Sequence, residues 1–323
     1  MGVYVLKKIS FKQFIRYTGM KKLLKIFVIC LLVTASIRVF GQDAEGAQLW
    51  TKEGVQLSDA GKYEEAIEKF RQALKLDTGN LHAGYQLASS LFKLNRGEEG
   101  ISYLQRINGV DTSLRVPANE LLGLIYFQAK QYDKAEKSAM DVLRDDPTQA
   151  ASQRMYALVT LHQNKRAASI LGFCSFILLE PKTQRSAEAY RNIQHILQGG
   201  ALRPEPGVTI KPLDANDEAL NLAITNAVAD AEREKHSTPI DLLAVQLKNI
   251  FTSVGQLAAK QTGNDFFRKY FAAYFYKLAQ SPNMEAFARF ISRNTLESST
   301  WIAAHANEMD YLDAWVATTE RGF

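Results

Sequence analysis

A stretch of 34 residues, 116–149, constrains the fold of this chain more than any other feature of the sequence. It holds two helical patterns of apolar and small residues on either side of a short polar turn at 130–133. Pro147 ends the second pattern, because proline lacks an amide hydrogen and clashes with the preceding helical turn. The stretch therefore predicts a pair of helices joined by a tight turn.

The same pattern recurs on both sides of this stretch. It is found upstream in 47–80 and, more weakly, in 81–114, and downstream in 150–182. Pro181 follows Pro147 by one full period, at the same point of the next unit. Unrelated amphipathic helices would not keep a fixed spacing from turn to turn, so the sequence predicts an array of four similar units.

The period and the residues of these units resemble the tetratricopeptide repeat. The resemblance is carried by large, small and aromatic positions: Trp50, Gly54, Leu57, Tyr63, Ala66, Phe70 and Ala73; Leu87, Ala88, Leu91, Ile101 and Leu104; Leu122, Gly123, Tyr126, Ala135, Ala139, Val142 and Leu143; Tyr156, Ala157, Ser169, Phe173, Phe176 and Ile177. The second unit matches least, since Gly97 and Gly100 stand where the family has an aromatic residue and an alanine.

The resemblance implies an all-α fold, a right-handed superhelical solenoid of stacked helix pairs. Each pair has an apolar face that its neighbours must cover, so the array shares one continuous core. The small residues Gly54, Ala88, Gly123 and Ala157 are expected to let the two helices of each unit approach closely. The resemblance covers 47–182, and one further amphipathic helix at 183–197 is expected to cap the array or to begin the next domain.

Residues 1–41 resemble a leader that ends in a secretory signal peptide. Met20 is the preferred start, followed by three lysines and an uncharged run, Ile26–Ile37, that is shorter than the roughly 20 residues of a membrane-spanning helix. Cleavage is expected before Gln42, which would place the protein in the periplasm or outside the cell. The alternative is an uncleaved leader that anchors the chain in the membrane.

Beyond the array, the sequence predicts a Pro/Gly-rich linker at 198–213, with a short strand at 208–210, and a C-terminal α-helical domain at 214–323. Asn216 is expected to cap the first helix of that domain, and Thr238 with Pro239 to begin the second. Asn264 or Asp265 is expected to cap the third.

The net charge of +5 belongs to the leader. Residues 1–41 contain eight of the 39 Lys and Arg residues and none of the 34 Asp and Glu residues. The remainder has 31 basic and 34 acidic residues and a net charge of −3. This balance is not typical of a nucleic-acid-binding protein, so no nucleic-acid partner is expected.

The first candidate site is the concave face that, by the resemblance, the first helix of each pair lines. The residues expected there are Tyr85, Phe92, Lys93, Phe127, Gln128, Arg154, Leu161 and His162. Aromatic side chains beside two cations favour an extended or helical peptide with an acidic group. The alternative for Phe92, Phe127 and Leu161 is packing between repeats.

Other features of the sequence favour structural roles. The aromatic run 266–276 and Cys174, which lies in a very apolar helix, are expected to be buried. The alternative for the aromatic run is a docking surface for a lipid, a glycan or a partner. The five histidines lack the spacing of a zinc protease helix, and no phosphate loop or nucleophile elbow is present, so we assign no catalytic residue, metal ligand or cofactor.

These features predict a non-catalytic scaffold or adaptor of the bacterial cell envelope that binds a protein or peptide. The alternative is an envelope enzyme with its active site in 214–323 and with repeats that present the substrate. The sequence leaves the partner's identity and the oligomeric state open.

Overall fold

The computed structural model describes residues 43–110, 113–200, 211–263 and 266–322. All regular secondary structure in these ranges is helical, as the repeats predict. The predicted signal peptide, its cleavage site before Gln42, the strand at 208–210, and the caps Asn264 and Asp265 lie outside the described residues.

The helices belong to two compact units that divide between Arg96 and Gly97. The first unit contains α1 (43–59), α2 (Tyr63–Leu76) and α3 (Leu81–Lys93). The second begins with a 3-10 turn, Gly97–Gly100, and its helices are α4 (Ile101–Ile107), α5 (Arg115–Gln128), α6 (Tyr132–Asp145), α7 (Ala150–His162), α8 (Arg166–Leu179), α9 (Gln184–Leu197), α10 (Ala215–Glu232), α11 (Pro239–Ala258), a π-helix (Phe267–Ala272), α12 (Ala273–Ala279), α13 (Met284–Ile291), α14 (Leu296–Ala304) and α15 (Ala306–Thr318).

One turn geometry sets the period of the repeats. The second residue after the first helix of each pair has a positive φ, at Gly61, Asn95, Lys130 and Asn164. The amide that follows each of them donates to a carbonyl five residues earlier at 2.8 Å, as Lys165 does to Thr160. This bond closes the helix in a Schellman motif. Gly199 repeats the same turn after α9, so α9 ends as the first helix of a repeat does.

The helices approach each other most closely at glycines other than Gly123. A Cβ atom on Gly54 would lie 2.5 Å from the Phe70 ring, and one on Gly172 would lie 3.0 Å from the Ala157 Cβ. At Gly123 the nearest atom would be the Ser138 Cβ, at an ordinary contact distance of 3.6 Å. Gly123 therefore has room for a methyl group, and the packing at this position requires a small residue but not glycine itself.

The C-terminal helices share one hydrophobic core with the end of the repeat array. Helix α8 buries every residue from Ala167 to Ile177, so it requires cover on all sides. Tyr156 of α7 stacks on Phe271 of the π-helix, with ring centroids 4.8 Å apart. Residues 97–200 and 211–322 therefore belong to the same compact unit, and the repeat array packs directly against the C-terminal helices on the far side of the predicted linker at 198–213.

Hydrogen bonds add to this apolar junction. The Gln153 side-chain amide donates to the Tyr270 hydroxyl at 2.5 Å, and that hydroxyl donates to the Pro147 carbonyl at 3.1 Å. Phe266, Phe267, Tyr270, Phe271, Tyr274 and Phe275 are all buried. The aromatic run is therefore core, as predicted, with Tyr276 half-buried at its end.

The helix starts agree with the sequence at one position and differ at another. The Thr238 hydroxyl accepts a hydrogen bond from the Asp241 amide and Pro239 opens α11, as predicted. Helix α10 is capped by Asp214, whose carboxylate accepts from the Asp217 amide, and not by Asn216.

Cys174 is fully buried, and burial raises the pKa of its thiol. Among the described helices, none is both long enough and apolar enough to cross a membrane.

Candidate partner-binding surface

The residues predicted to line a concave face divide between the two units. Tyr85, Phe92 and Lys93 lie in the first unit, and Phe127, Gln128, Arg154, Leu161 and His162 lie in the second. Seven of these eight side chains are exposed or half-buried, whereas Leu161 is only 3% exposed. Leu161 is therefore a packing residue, which is the alternative that the sequence left open for it. That these residues bind a peptide with an acidic group stays a prediction.

A recess lies between the first helices of the third and fourth repeats. Its volume is about 110 Å³, and it is lined by Asn119, Glu120, Gly123, Leu124, Ala139, Ala151, Ser152 and Met155. Leu124 is 43% exposed at this surface. Glu120 accepts a hydrogen bond from the Ser152 hydroxyl at 3.4 Å, and burial raises the pKa of its carboxyl group. The recess thus offers an apolar floor beside one acidic group.

Arg154 is less available to an acidic ligand than the sequence suggests. Its guanidinium lies 3.5 Å from the carboxylate of Glu188 on α9, the helix that follows the fourth repeat. Both side chains are partly exposed, so the pair contributes little stability but neutralises the cation. The surface formed by α5, α7 and α9 therefore has mixed charge around exposed apolar side chains.

A larger cavity, which we name the turn pocket, lies at the turns of the third and fourth repeats. Its volume is about 440 Å³, and it is lined by Lys130, Gln131, Tyr132, Asp133, Lys134, His162, Gln163, Lys165, Lys211, Pro212, Leu213, Asp214 and Asp217. Helix α10 is held against the second of these turns by Asn221. The Asn221 amide donates to the Asn164 carbonyl at 2.8 Å, and the Arg166 amide donates to the Asn221 side-chain oxygen at 3.0 Å.

One wall of the turn pocket is aromatic. Tyr132 stacks on His162, with ring centroids 4.9 Å apart and planes 22° apart. The Phe127 ring meets the His162 ring edge-on at 5.3 Å. Two residues that the sequence assigns to a groove, Phe127 and His162, are therefore brought together by Tyr132, which the sequence analysis does not single out.

The half-buried charged side chains of the turn pocket, Lys165 and Asp217, differ in their partners. Lys165 donates to the buried Glu136 carboxylate at 2.6 Å. Asp133 accepts from Gln163 at 2.9 Å and pairs with Lys211, whose hydrogen bond lowers the pKa of Asp133. Within the described residues, no side chain hydrogen-bonds to or forms an ion pair with the Asp217 carboxylate.

The Asp217 carboxylate is consequently in an unfavourable electrostatic environment. Burial is the largest cause that raises its pKa to about 6, and the nearby carboxylates of Asp214 and Glu136 raise it further, while Lys165 opposes them. At neutral pH this carboxylate is charged in surroundings that disfavour the charge. No local spacing in the sequence indicates this site, because Tyr132 and Asp217 lie far apart in the chain.

The polar residues of the C-terminal helices form structural contacts. Arg289 is 4% exposed, lies 2.5 Å from Asp241 and also pairs with Glu297. His305 stacks on Trp301 at 4.1 Å between ring centroids. In the described ranges, no group of three or more His, Cys, Asp and Glu side chains is arranged to hold a metal ion.

Comparisons with known families agree with the helix pairs and turns. Two family models, both described as tetratricopeptide repeat, match residues 57–113 and 116–149. This chain contains tetratricopeptide repeats. Such repeats generally act as non-catalytic scaffolds for protein–protein interaction, and the extended surface of a stacked array suits that role. No curated protein matches the chain significantly.

Solved structures include similar helical repeat proteins. A crystal structure of MamA is 19% identical over 48% of this chain and 82% of that one, with a TM-score of 0.45. PilF of Pseudomonas aeruginosa is 16% identical over 68% and 100%, with a TM-score of 0.40. A tetratricopeptide repeat protein of Parabacteroides merdae is 13% identical over 77% and 99%, with a TM-score of 0.41. At these scores the likenesses carry no argument about function.

Proposed function

We propose that this tetratricopeptide repeat protein is a non-catalytic adaptor of the bacterial cell envelope. It binds a protein or peptide partner on the surface formed by α5 and α7, the first helices of its third and fourth repeats. The envelope location rests on the sequence of residues 20–41, where a short uncharged run follows three lysines and precedes Gly41. The adaptor role rests on the repeats.

The observation that carries the binding surface is the recess between α5 and α7. It places an exposed leucine, Leu124, beside Met155 and the half-buried carboxyl of Glu120. An apolar side chain of a partner would fill the recess, and a polar group beside it would pair with Glu120. This combination of apolar anchor and neighbouring hydrogen bond is typical of peptide recognition on helical surfaces.

Site-specific photocross-linking in the native cell tests the surface. A photoreactive phenylalanine analogue replaces Leu124, and a matched control carries it at Leu222, a leucine of α10 that is 61% exposed. We expect a discrete cross-linked protein from position 124 and none from position 222. The same products from both positions, or none from position 124, would contradict the proposal.

Cell fractionation followed by N-terminal sequencing of the native protein tests the location. We expect the protein in the envelope fraction with a first residue at or near Gln42. A cytoplasmic protein with an intact Met1 or Met20 would refute the envelope assignment and leave the binding surface to be judged by the cross-linking result.

A further inference from the structure

We propose that the turn pocket binds a primary ammonium group on an alkyl stem, with Asp217 as its counter-ion and the stacked rings of Tyr132 and His162 as the wall along the stem. This site is separate from the recess between α5 and α7, and the inference does not depend on that recess. It adds a second binding site, with a ligand of opposite charge to the one that Lys93 and Arg154 suggest.

The first argument is the balance of charge inside the pocket. Four lysines line it: Lys130, Lys134 and Lys211 are exposed to solvent, and the half-buried Lys165 is engaged by Glu136. The Asp214 carboxylate is engaged as the cap of α10. The half-buried charge without a partner in the described residues is therefore negative, at Asp217. A cation that enters the pocket removes an electrostatic penalty, whereas an anion adds one.

The second argument is the shape and lining of the cavity. A volume of about 440 Å³ falls within the range of small-molecule and side-chain sites in proteins. The Tyr132–His162 stack presents an apolar surface beside the carboxylate, and aromatic rings attract cations in addition to excluding water from an alkyl chain.

The third argument is that Asp217 offers a single carboxylate, which distinguishes an ammonium ligand from a guanidinium. A guanidinium favours two parallel hydrogen bonds to a carboxylate, whereas an ammonium is a compact charge that one oxygen can satisfy. The neighbouring acids Asp133 and Glu136 are already hydrogen-bonded, so Asp217 is left to neutralise one compact charge. The ligand is thus an alkylamine, supplied either as a free diamine or as a lysine side chain of a partner.

Isothermal titration calorimetry on the full chain at pH 8 tests this inference. The probes are cadaverine and Nα-acetyl-lysine amide, and the controls are the neutral 1,5-pentanediol and the anionic glutarate. We expect one or both amines to bind and both controls to fail. Cadaverine alone would identify a free diamine as the ligand class, and the lysine derivative would identify a protein side chain. Binding of glutarate, or of neither amine, overturns the inference.

Two variants assign the binding to the pocket. Asp217→Asn should weaken amine binding at least tenfold, whereas Asp230→Asn, which removes an exposed carboxylate of the same helix, should leave it unchanged. If Asp217→Asn does not fold, amide chemical shifts of the unaltered chain decide. Cadaverine should then shift the amides of Tyr132, His162 and Asp217, and shifts confined to other regions overturn the assignment.

Discussion

Replacing Asp217 by asparagine should stabilise the protein at neutral pH. The folded protein holds the pKa of Asp217 near 6, against 3.8 for an unperturbed aspartate. Between these two values the folded state binds a proton that the unfolded state has released, so the stability of the unaltered protein falls as the pH rises through this window. Above about pH 6 the penalty is complete, and below about pH 4 it is absent. Asparagine carries no charge and avoids the penalty.

The size of the effect follows from the pKa shift. A shift of about two units corresponds to roughly 3 kcal/mol at most, since one unit is about 1.4 kcal/mol. Asp217 is only half-buried, so solvent screening reduces this to about 1–2 kcal/mol. Asp217 also lies in the first turn of α10, where a negative charge favours the helix by about 0.5 kcal/mol. The net gain should therefore be about 1 kcal/mol at pH 7–8.

Chemical denaturation at pH 4, 5, 6, 7 and 8 measures this difference. The groups that surround Asp217 in the pocket are identical in both proteins: Asp133, Glu136, His162, Lys165, Lys211 and Asp214. Glu218→Gln is the matched control, because it removes an exposed carboxylate from the same helical turn and should lose a few tenths of a kcal/mol. If Asp217→Asn raised the free energy of unfolding equally at pH 4 and pH 8, or lowered it at pH 8, the proposed electrostatic penalty at Asp217 would be refuted.

Four further perturbations test the packing. Gly172→Ala should lose about 1–2 kcal/mol of stability from overpacking against Ala157, whereas Gly123→Ala should gain about 0.5–1 kcal/mol, and thermal melting compares them. Arg289→Ala should cost about 3 kcal/mol in denaturant unfolding, because it leaves Asp241 and Glu297 unpaired. A chain that ends at Gly200 should fail to melt cooperatively in its second unit, since α8 would lose the cover of the C-terminal helices.

The repeats are predictable from sequence because their signals are local. Each turn needs one residue in the left-handed region, and glycine or asparagine supplies it at Gly61, Asn95 and Asn164. Lys130 adopts the same conformation without that preference, so the period identifies this turn and the residue type alone does not. The first helix of each pair and its stopping point follow from these local rules.

The sharing of one core by the array and the C-terminal helices was not predicted, although one signal for it is present. Helix α8 has no polar face between Ala167 and Ile177, and a helix of that composition must be covered on both sides. A repeat helix at the free end of an array would show a polar stripe there. The turn pocket has no comparable signal, because its residues come from 130–134, 162–165 and 211–217 and meet only through tertiary packing.

The C-terminal helices thus have two roles that arise from one physical requirement. A stacked array leaves an apolar face at its end, and here Phe271 and its neighbours cover the face of α7 and α8. The same packing places α10 in contact with the turn at Asn164, and Asp217 of α10 lines the turn pocket. Because a ligand stabilises the state that binds it, an amine bound at Asp217 would strengthen the attachment of α10 to the repeats. Ligand binding and the integrity of the covered end are therefore expected to be coupled, since α10 is hydrogen-bonded to the turn and to Arg166 through Asn221 and Thr225.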